Sequence, residues 1–233
     1  MKQLITTALL GLSLAGCSVL PAGAERQASR ADTRPAATTP SRSNAAPSVA
    51  ARPADNQCLR KLGDAGAQFT PLPDRYLDQG CTNLGTVQMY ALAGDNGRLD
   101  VSNLGPVTCP VSTAFAAWAR FGVDRAARAV FGTPLASIQT MGSYSCRNVA
   151  GSSRRSGHAS AAAIDVGGFT LADGRRISVQ NGWDGDAKER QFLRLVQQSA
   201  CRRFGTVLGP DYNAAHRDHL HVEGVIEGSS YCR

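Results

Sequence analysis

His216-Arg217-Asp218-His219-Leu220-His221 holds three of the chain's four histidines within six residues. Histidine is the commonest side-chain ligand for zinc, and a catalytic zinc site takes three protein ligands and keeps one position for water. If the residues leading to Val222 are extended, His219 and His221 share a face, where one can bind metal and the other can face the bound water. The fourth histidine stands upstream, in Ser156-Gly157-His158-Ala159-Ser160-Ala161-Ala162-Ala163-Ile164-Asp165. His158 and Asp165 are seven positions apart, too far for one turn of helix. A loop leading into a strand brings them together, with the apolar run entering the sheet and Asp165 at its exposed end. A lone histidine more often satisfies a local hydrogen bond. Four of them with a suitably placed aspartate point to a metal centre.

Outward from these stretches the periodicities change. Cys109-Pro110 opens a helix over Val111 to Arg120, whose Ala114, Phe115, Trp118 and Ala119 recur at helical spacing, and Pro110 suits its first turn. Gly122 interrupts it, and a second short helix runs from Asp124 to Val130. Pro134 to Thr140 alternates as a strand. Ile164 to Leu171 and Arg176 to Val179 flank Ala172-Asp173-Gly174-Arg175, a strong hairpin signal. Asp186 caps a helix from Ala187 to Arg202, with Phe192, Leu195 and Val196 on one face. Thr206 to Leu208 and Leu220 to Val225 read as further strands. The sum predicts an α+β domain: a small antiparallel sheet carrying a zinc site, flanked by helices and stapled by disulfides.

The amino-terminal part follows different rules. Lys2 precedes an apolar run from Leu4 to Leu14, too short to span a bilayer and flanked like a secretory signal. It closes on Leu14-Ala15-Gly16-Cys17, which is similar to a bacterial lipobox. Residues 1–16 then form a lipoprotein signal peptide, and acylation of Cys17 anchors the chain in a membrane. The rival, cleavage after Ala22-Gly23-Ala24, gives a soluble periplasmic protein. Ser18 after the cysteine resembles an outer-membrane sorting signal, so a lipid-anchored periplasmic protein at the outer membrane is expected. Residues 17–56 are rich in Ala, Pro, Ser and Thr and bury too little apolar surface to offset their ordering entropy. They read as a disordered tether with a reach of about 40 to 100 Å.

Residues 57–233 are left for one folded domain. With Cys17 set aside, Cys58, Cys81, Cys109, Cys146, Cys201 and Cys232 make an even number, as expected in an oxidising compartment. Order along the chain predicts Cys58 with Cys81, Cys109 with Cys146, and Cys201 with Cys232. The formal net charge is +7. Only a small part of it lies in the tether, so it does not form a nucleic-acid-binding arm, and no nucleic acid partner is expected.

Ser-x-His-x-x-x-Ala-x-x-Asp at residues 156–165, followed by His-x-His, resembles the D-alanyl-D-alanine metallopeptidase superfamily, which includes lysostaphin-type peptidases and the hedgehog signalling domain. With Ser143-Tyr144-Ser145-Cys146-Arg147 upstream, and Gly209-Pro210-Asp211-Tyr212-Asn213-Ala214-Ala215-His216 leading to His221, the pattern resembles the bacterial extensin-like carboxy-terminal domain family. The likeness covers about residues 57 to 233.

That resemblance implies zinc held by His158, Asp165 and His221. In the murein endopeptidase branch, His-x-x-His-x-His-Val is similar to His216, His219, His221 and Val222. By this match His219 is the general base or transition-state stabiliser and His216 an auxiliary group. Other members place a carboxylate three positions before the last ligand, where Asp218 stands. Same-face geometry favours His219, and Asp218 can instead orient a histidine. Arg147 matches an arginine that holds the substrate carbonyl or carboxylate; its plainer reading is a structural ion pair. Ser156 tightens its loop by side-chain to backbone bonding and is not a nucleophile. The implied function is a zinc-dependent peptidoglycan peptidase, a D,D-carboxypeptidase or D,D-endopeptidase, expected as a monomer. Arg154 and Arg155 would attract the carboxylates of stem peptides. A non-catalytic zinc-stabilised binding module and a disulfide-stapled wall-anchoring lipoprotein with incidental metal are the alternatives.

Overall fold

A computed structural model describes residues 53–233. The expected signal peptide, Cys17 and nearly all of the expected tether lie outside the described residues. Helix α1 (Pro53–Asp64) begins within the segment read as tether. It is followed by β1 (Gln68–Pro71), β2 (Arg75–Asp78), β3 (Cys81–Asn83), β4 (Thr86–Ala93), β5 (Arg98–Ser102) and β6 (Val107–Thr108). None of these was legible as periodicity, because most are short and β2 is exposed throughout.

Helix α2 (Cys109–Trp118) starts with Pro110 in its first turn, as expected. Gly122 does not break the helix. It sits in a π-helical turn (Ala119–Asp124) that carries the chain into α3 (Arg125–Phe131). The wider turn and the missing side chain serve close packing: a Cβ on Gly122 would overlap Ser199 Oγ and stand 2.9 Å from Trp118 Cδ1. Asp124, fully buried, accepts hydrogen bonds from the Leu135 and Asp95 amides at 2.9 and 3.1 Å and from Arg128 Nε at 3.3 Å. Those contacts satisfy a buried carboxylate and tie three segments together.

The remaining elements are β7 (Leu135–Gly142), a 3-10 turn (Gly157–Ser160), β8 (Ala163–Leu171), β9 (Arg176–Ser178), α4 (Val179–Gly182), α5 (Ala187–Ala200), β10 (Thr206–Leu208), a 3-10 turn (Ala214–His216), β11 (Leu220–Glu223) and β12 (Tyr231–Cys232). The hairpin between β8 and β9 forms where Ala172-Asp173-Gly174-Arg175 predicted it, with the Leu171 amide donating to Arg175 O. Asp186 caps α5 through bonds from the Lys188 and Glu189 amides.

The sheet corrects the expectation. It has ten strands in the order β1-β4-β5-β7-β8-β11-β10-β12, with β6 beside β4 and β9 beside β8. It is mixed, since β5 pairs β7 in parallel and β10 pairs β12 in parallel. β2 and β3 form a separate pair. Ile138, Ile164, Val166, Phe169, Leu220 and Val222 from the sheet pack with Phe115, Trp118, Phe192 and Val196 from the helices into one core. Trp118 donates its indole N–H to Val196 O at 3.0 Å, so the large ring is buried with its polar atom satisfied. On the other face of β8, Asp165, Gly167 and Thr170 stay partly exposed. One face of an antiparallel strand pair can remain open in this way, and the histidines lie on that face. Among the described residues no helix is long and apolar enough to cross a membrane.

The disulfides are Cys58–Cys109, Cys81–Cys146 and Cys201–Cys232. The last is the predicted pair. The first two correct the neighbour-to-neighbour pairing of Cys58 with Cys81 and Cys109 with Cys146. The reason lies in the unread region: α1 packs against α2, which sets Cys58 beside Cys109, and β3 packs against the 157–160 turn, next to the segment holding Cys146.

Candidate metal centre

β8 and β11 are antiparallel neighbours in which Asp165 stands directly opposite His221. Directly opposed residues share a face, so the two side chains meet. His158 comes from the turn before β8. Ser156 Oγ accepts from the His158 amide, and Ala161, at φ 53°, reverses the chain into the strand. His158 and His221 are buried, at 2 % and 6 % exposure.

The donor atoms converge. His158 Nε2 lies 3.2 Å from Asp165 Oδ1 and 3.1 Å from His221 Nδ1, and His221 Nδ1 lies 2.9 Å from Asp165 Oδ1. Ligand atoms about 2.0 to 2.1 Å from a tetrahedral zinc stand about 3.3 Å apart, so this set fits the ion. Among the described residues, His158, Asp165 and His221 are the group able to hold one.

The outer atoms fix the tautomers. His158 Nδ1 donates to Ser143 O at 2.8 Å, which leaves Nε2 as the lone-pair nitrogen in the cluster. Ser143 is itself anchored, its hydroxyl donating to Pro106 O at 2.9 Å. His221 Nε2 donates to Glu223 Oε2 at 3.0 Å and turns Nδ1 inward. Burial alone would raise the Asp165 carboxyl, but the two imidazoles outweigh it and hold it well below the usual carboxylate range. Burial likewise opposes charge on His221, and the Asp165 and Glu223 carboxylates outweigh it, raising its pKa to about 9.

His219 precedes β11 by one residue. Its Nδ1 donates to Asp218 Oδ1 at 2.8 Å, and its Nε2 lies 3.6 Å from Asp165 Oδ1, at the edge of the cluster. His216 ends a 3-10 turn capped by Asn213, whose Oδ1 is 2.8 Å from His216 Nδ1. Its ring lies 5.2 Å from that of His219 and 5.4 Å from that of Tyr212. Burial, then the neighbouring His219 and His221, lower its pKa to about 4, so it is neutral near pH 7. The segment before it is pinned by Asp211, which accepts from Trp183 Nε1 and pairs with Arg194. A cleft of about 510 Å³ opens over these side chains, walled by Arg147 and Arg154 as well as Tyr212 and Tyr231.

The family model for the extensin-like protein C-terminus matches residues 56–233. The chain belongs to this family. No curated protein and no solved structure matches it.

The extensin-like domain thus lines one cleft with Arg147, His216, His219 and His221, and His221 joins that cleft to the cluster it forms with His158 and Asp165. Arg147 sits in a segment locked to the His158 turn: the Ser156 amide donates to Arg147 O, the Ser145 amide donates to His158 O, and Cys146 is tied to Cys81. Its guanidinium has no hydrogen-bond or ion-pair partner among the described residues. The Arg154-Arg155 pair divides. Arg154 lines the cleft, whereas Arg155 turns away to donate to Gln79 O and Asn148 Oδ1 and is structural. Glu223 was not singled out from sequence. The signal was present, since His219, His221 and Glu223 follow one another at the period of a strand face.

Proposed function

We propose that this chain is a zinc-dependent peptidase of the cell envelope, within the D-alanyl-D-alanine metallopeptidase superfamily, that cleaves peptidoglycan as a D,D-carboxypeptidase or a crosslink D,D-endopeptidase. One observation carries the reading: three buried or half-buried donors from His158, Asp165 and His221 converge within 4.8 Å, with His219 Nε2 beside them. Zinc held by those three side chains would supply Lewis-acid polarisation of the scissile carbonyl and a water of lowered pKa. His219 accepts the proton at Nε2, because its Nδ1–H is already committed to Asp218. Asp218 is then the orienting carboxylate rather than the base. His216, neutral near pH 7, offers a hydrogen-bonding group beside His219. Arg147 and Arg154 present cationic groups on the cleft wall, suited to the carboxylates of a stem peptide. The likeness of Leu14-Ala15-Gly16-Cys17 to a lipobox and the composition of the tether support a periplasmic domain, anchored at the outer membrane and within reach of the wall.

The test is mass spectrometry of peptidoglycan fragments incubated with the purified protein, zinc-loaded and chelated, beside His219→Ala. Loss of terminal D-alanine or of crosslinked dimers, only with metal and only with His219, is expected. No cleavage by a folded, zinc-replete chain would reject the enzyme and leave a non-catalytic zinc-stabilised peptidoglycan-binding module.

A further inference from the structure

The last ligand in the cluster is held by a residue on its own strand. Glu223 stands two residues after His221 in β11, on the same face, with Oε2 3.0 Å from His221 Nε2. That nitrogen is on the far side of the ring from the cluster, so Glu223 cannot reach a group bound between His158, Asp165 and His221. It acts through the imidazole: by accepting the Nε2–H it fixes the ring plane and leaves Nδ1 as the nitrogen that gives up its proton to a metal. Glu223 is about two-thirds buried, with a side-chain exposure of 33 %.

Its position depends on a second residue. Gly157 immediately precedes His158, and a Cβ there would overlap Glu223 Cδ and come within 2.7 Å of Glu223 Cγ. The Glu223 side chain therefore lies in the space left by a missing side chain on the His158 turn. This contact joins the two segments that carry the histidine donors, which are 63 residues apart in sequence.

We propose that Glu223 is the positioning residue for His221 in a divalent-metal site, and that Gly157 is required because it leaves room for it. The inference rests on the metal-centre reading above but not on peptidase activity. Metal binding falls when either residue is changed, although neither is a ligand.

The experiment measures zinc affinity of the full-length chain by competition with a chromogenic chelator, together with the visible spectrum of the cobalt-substituted protein and a thermal melt of each variant. Glu223→Ala should weaken zinc binding by about 10- to 100-fold and shift the cobalt bands. Glu223→Gln should restore most of the affinity, because its carbonyl oxygen can still accept from Nε2–H. Gly157→Ala should weaken binding by a similar factor through displacement of Glu223. The double variant Gly157→Ala/Glu223→Ala should bind no more weakly than the weaker single variant. Wild-type affinity in either alanine variant, or Glu223→Gln as weak as Glu223→Ala, overturns the proposal. Should Glu223→Ala fail to fold, the contrast between Gly157→Ala and Glu223→Gln decides it. A wild-type chain that binds no zinc overturns the metal-centre reading itself, whereas zinc binding without peptidase activity leaves this inference standing.

Discussion

His219 directs Nε2 to within 3.6 Å of Asp165 Oδ1 while remaining outside the cluster that Asp165 forms with His158 and His221. A histidine so placed can serve the chemistry of the cluster without being needed to assemble it. His158→Ala and Asp165→Ala should therefore lose stoichiometric zinc in elemental analysis. His219→Ala should keep zinc and lose about 10²- to 10⁴-fold in turnover.

Asp218 and His219 can be ranked by the same assay. Because Asp218 bonds to His219 Nδ1, Asp218→Ala should lower turnover less than His219→Ala does. The reverse order would make Asp218 the base.

The adjacent arginines should behave differently despite their identical chemistry. Arg154→Gln should weaken binding of stem peptides, more at low salt than at high, with little change in melting temperature. Arg155→Gln should lower the melting temperature, because it loses bonds to Gln79 and Asn148, and should leave peptide affinity unchanged. Equal effects of the two on binding would refute the assignment.

Gly122→Ala should destabilise the fold by about 1 to 3 kcal/mol, since the added methyl meets Ser199 and Trp118 in a filled core. Adding Ser199→Gly should recover part of the loss. Urea denaturation of the single and double variants measures both.

Asp95 supplies an acid-side prediction. Hydrogen bonds from Arg125 and then Arg120 lower its pKa to about 2. A carboxylate depressed in the folded state stabilises fully above its unfolded pKa, near 3.9, and loses that contribution as pH falls towards the folded value. Thermal melts should show Asp95→Asn less stable than the native chain at pH 5, with the gap closing towards pH 2.

Much of the site was legible because its residue types are rare and strongly patterned. His158 leads into β8 through a turn and Asp165 stands opposite His221 in the sheet, the loop-to-strand arrangement that the sequence suggested, while His219 lies one residue ahead of β11. The helix beginning at Cys109-Pro110, the cap at Asp186 and the hairpin at Asp173-Gly174 were readable for a similar reason: proline, a capping carboxylate and a turn glycine act locally. The strands between residues 68 and 108 left no such mark. β2 is exposed throughout and β6 is two residues long, so their pairing comes from tertiary neighbours rather than from alternation. The disulfide partners were hidden for the same reason, as was the joining of β5 to β7 in parallel. Gly122 reads in sequence as a helix breaker, yet the helical path continues through it because the requirement is for space against Ser199.

The facing of Asp165 and His221 across β8 and β11 makes the centre a check on strand alignment. Sliding one strand by a single residue would turn one of these donors into the core and bring an apolar neighbour, Ile164 or Val166 beside Asp165, to the open face. Misaligned chains would be unable to assemble the donor set.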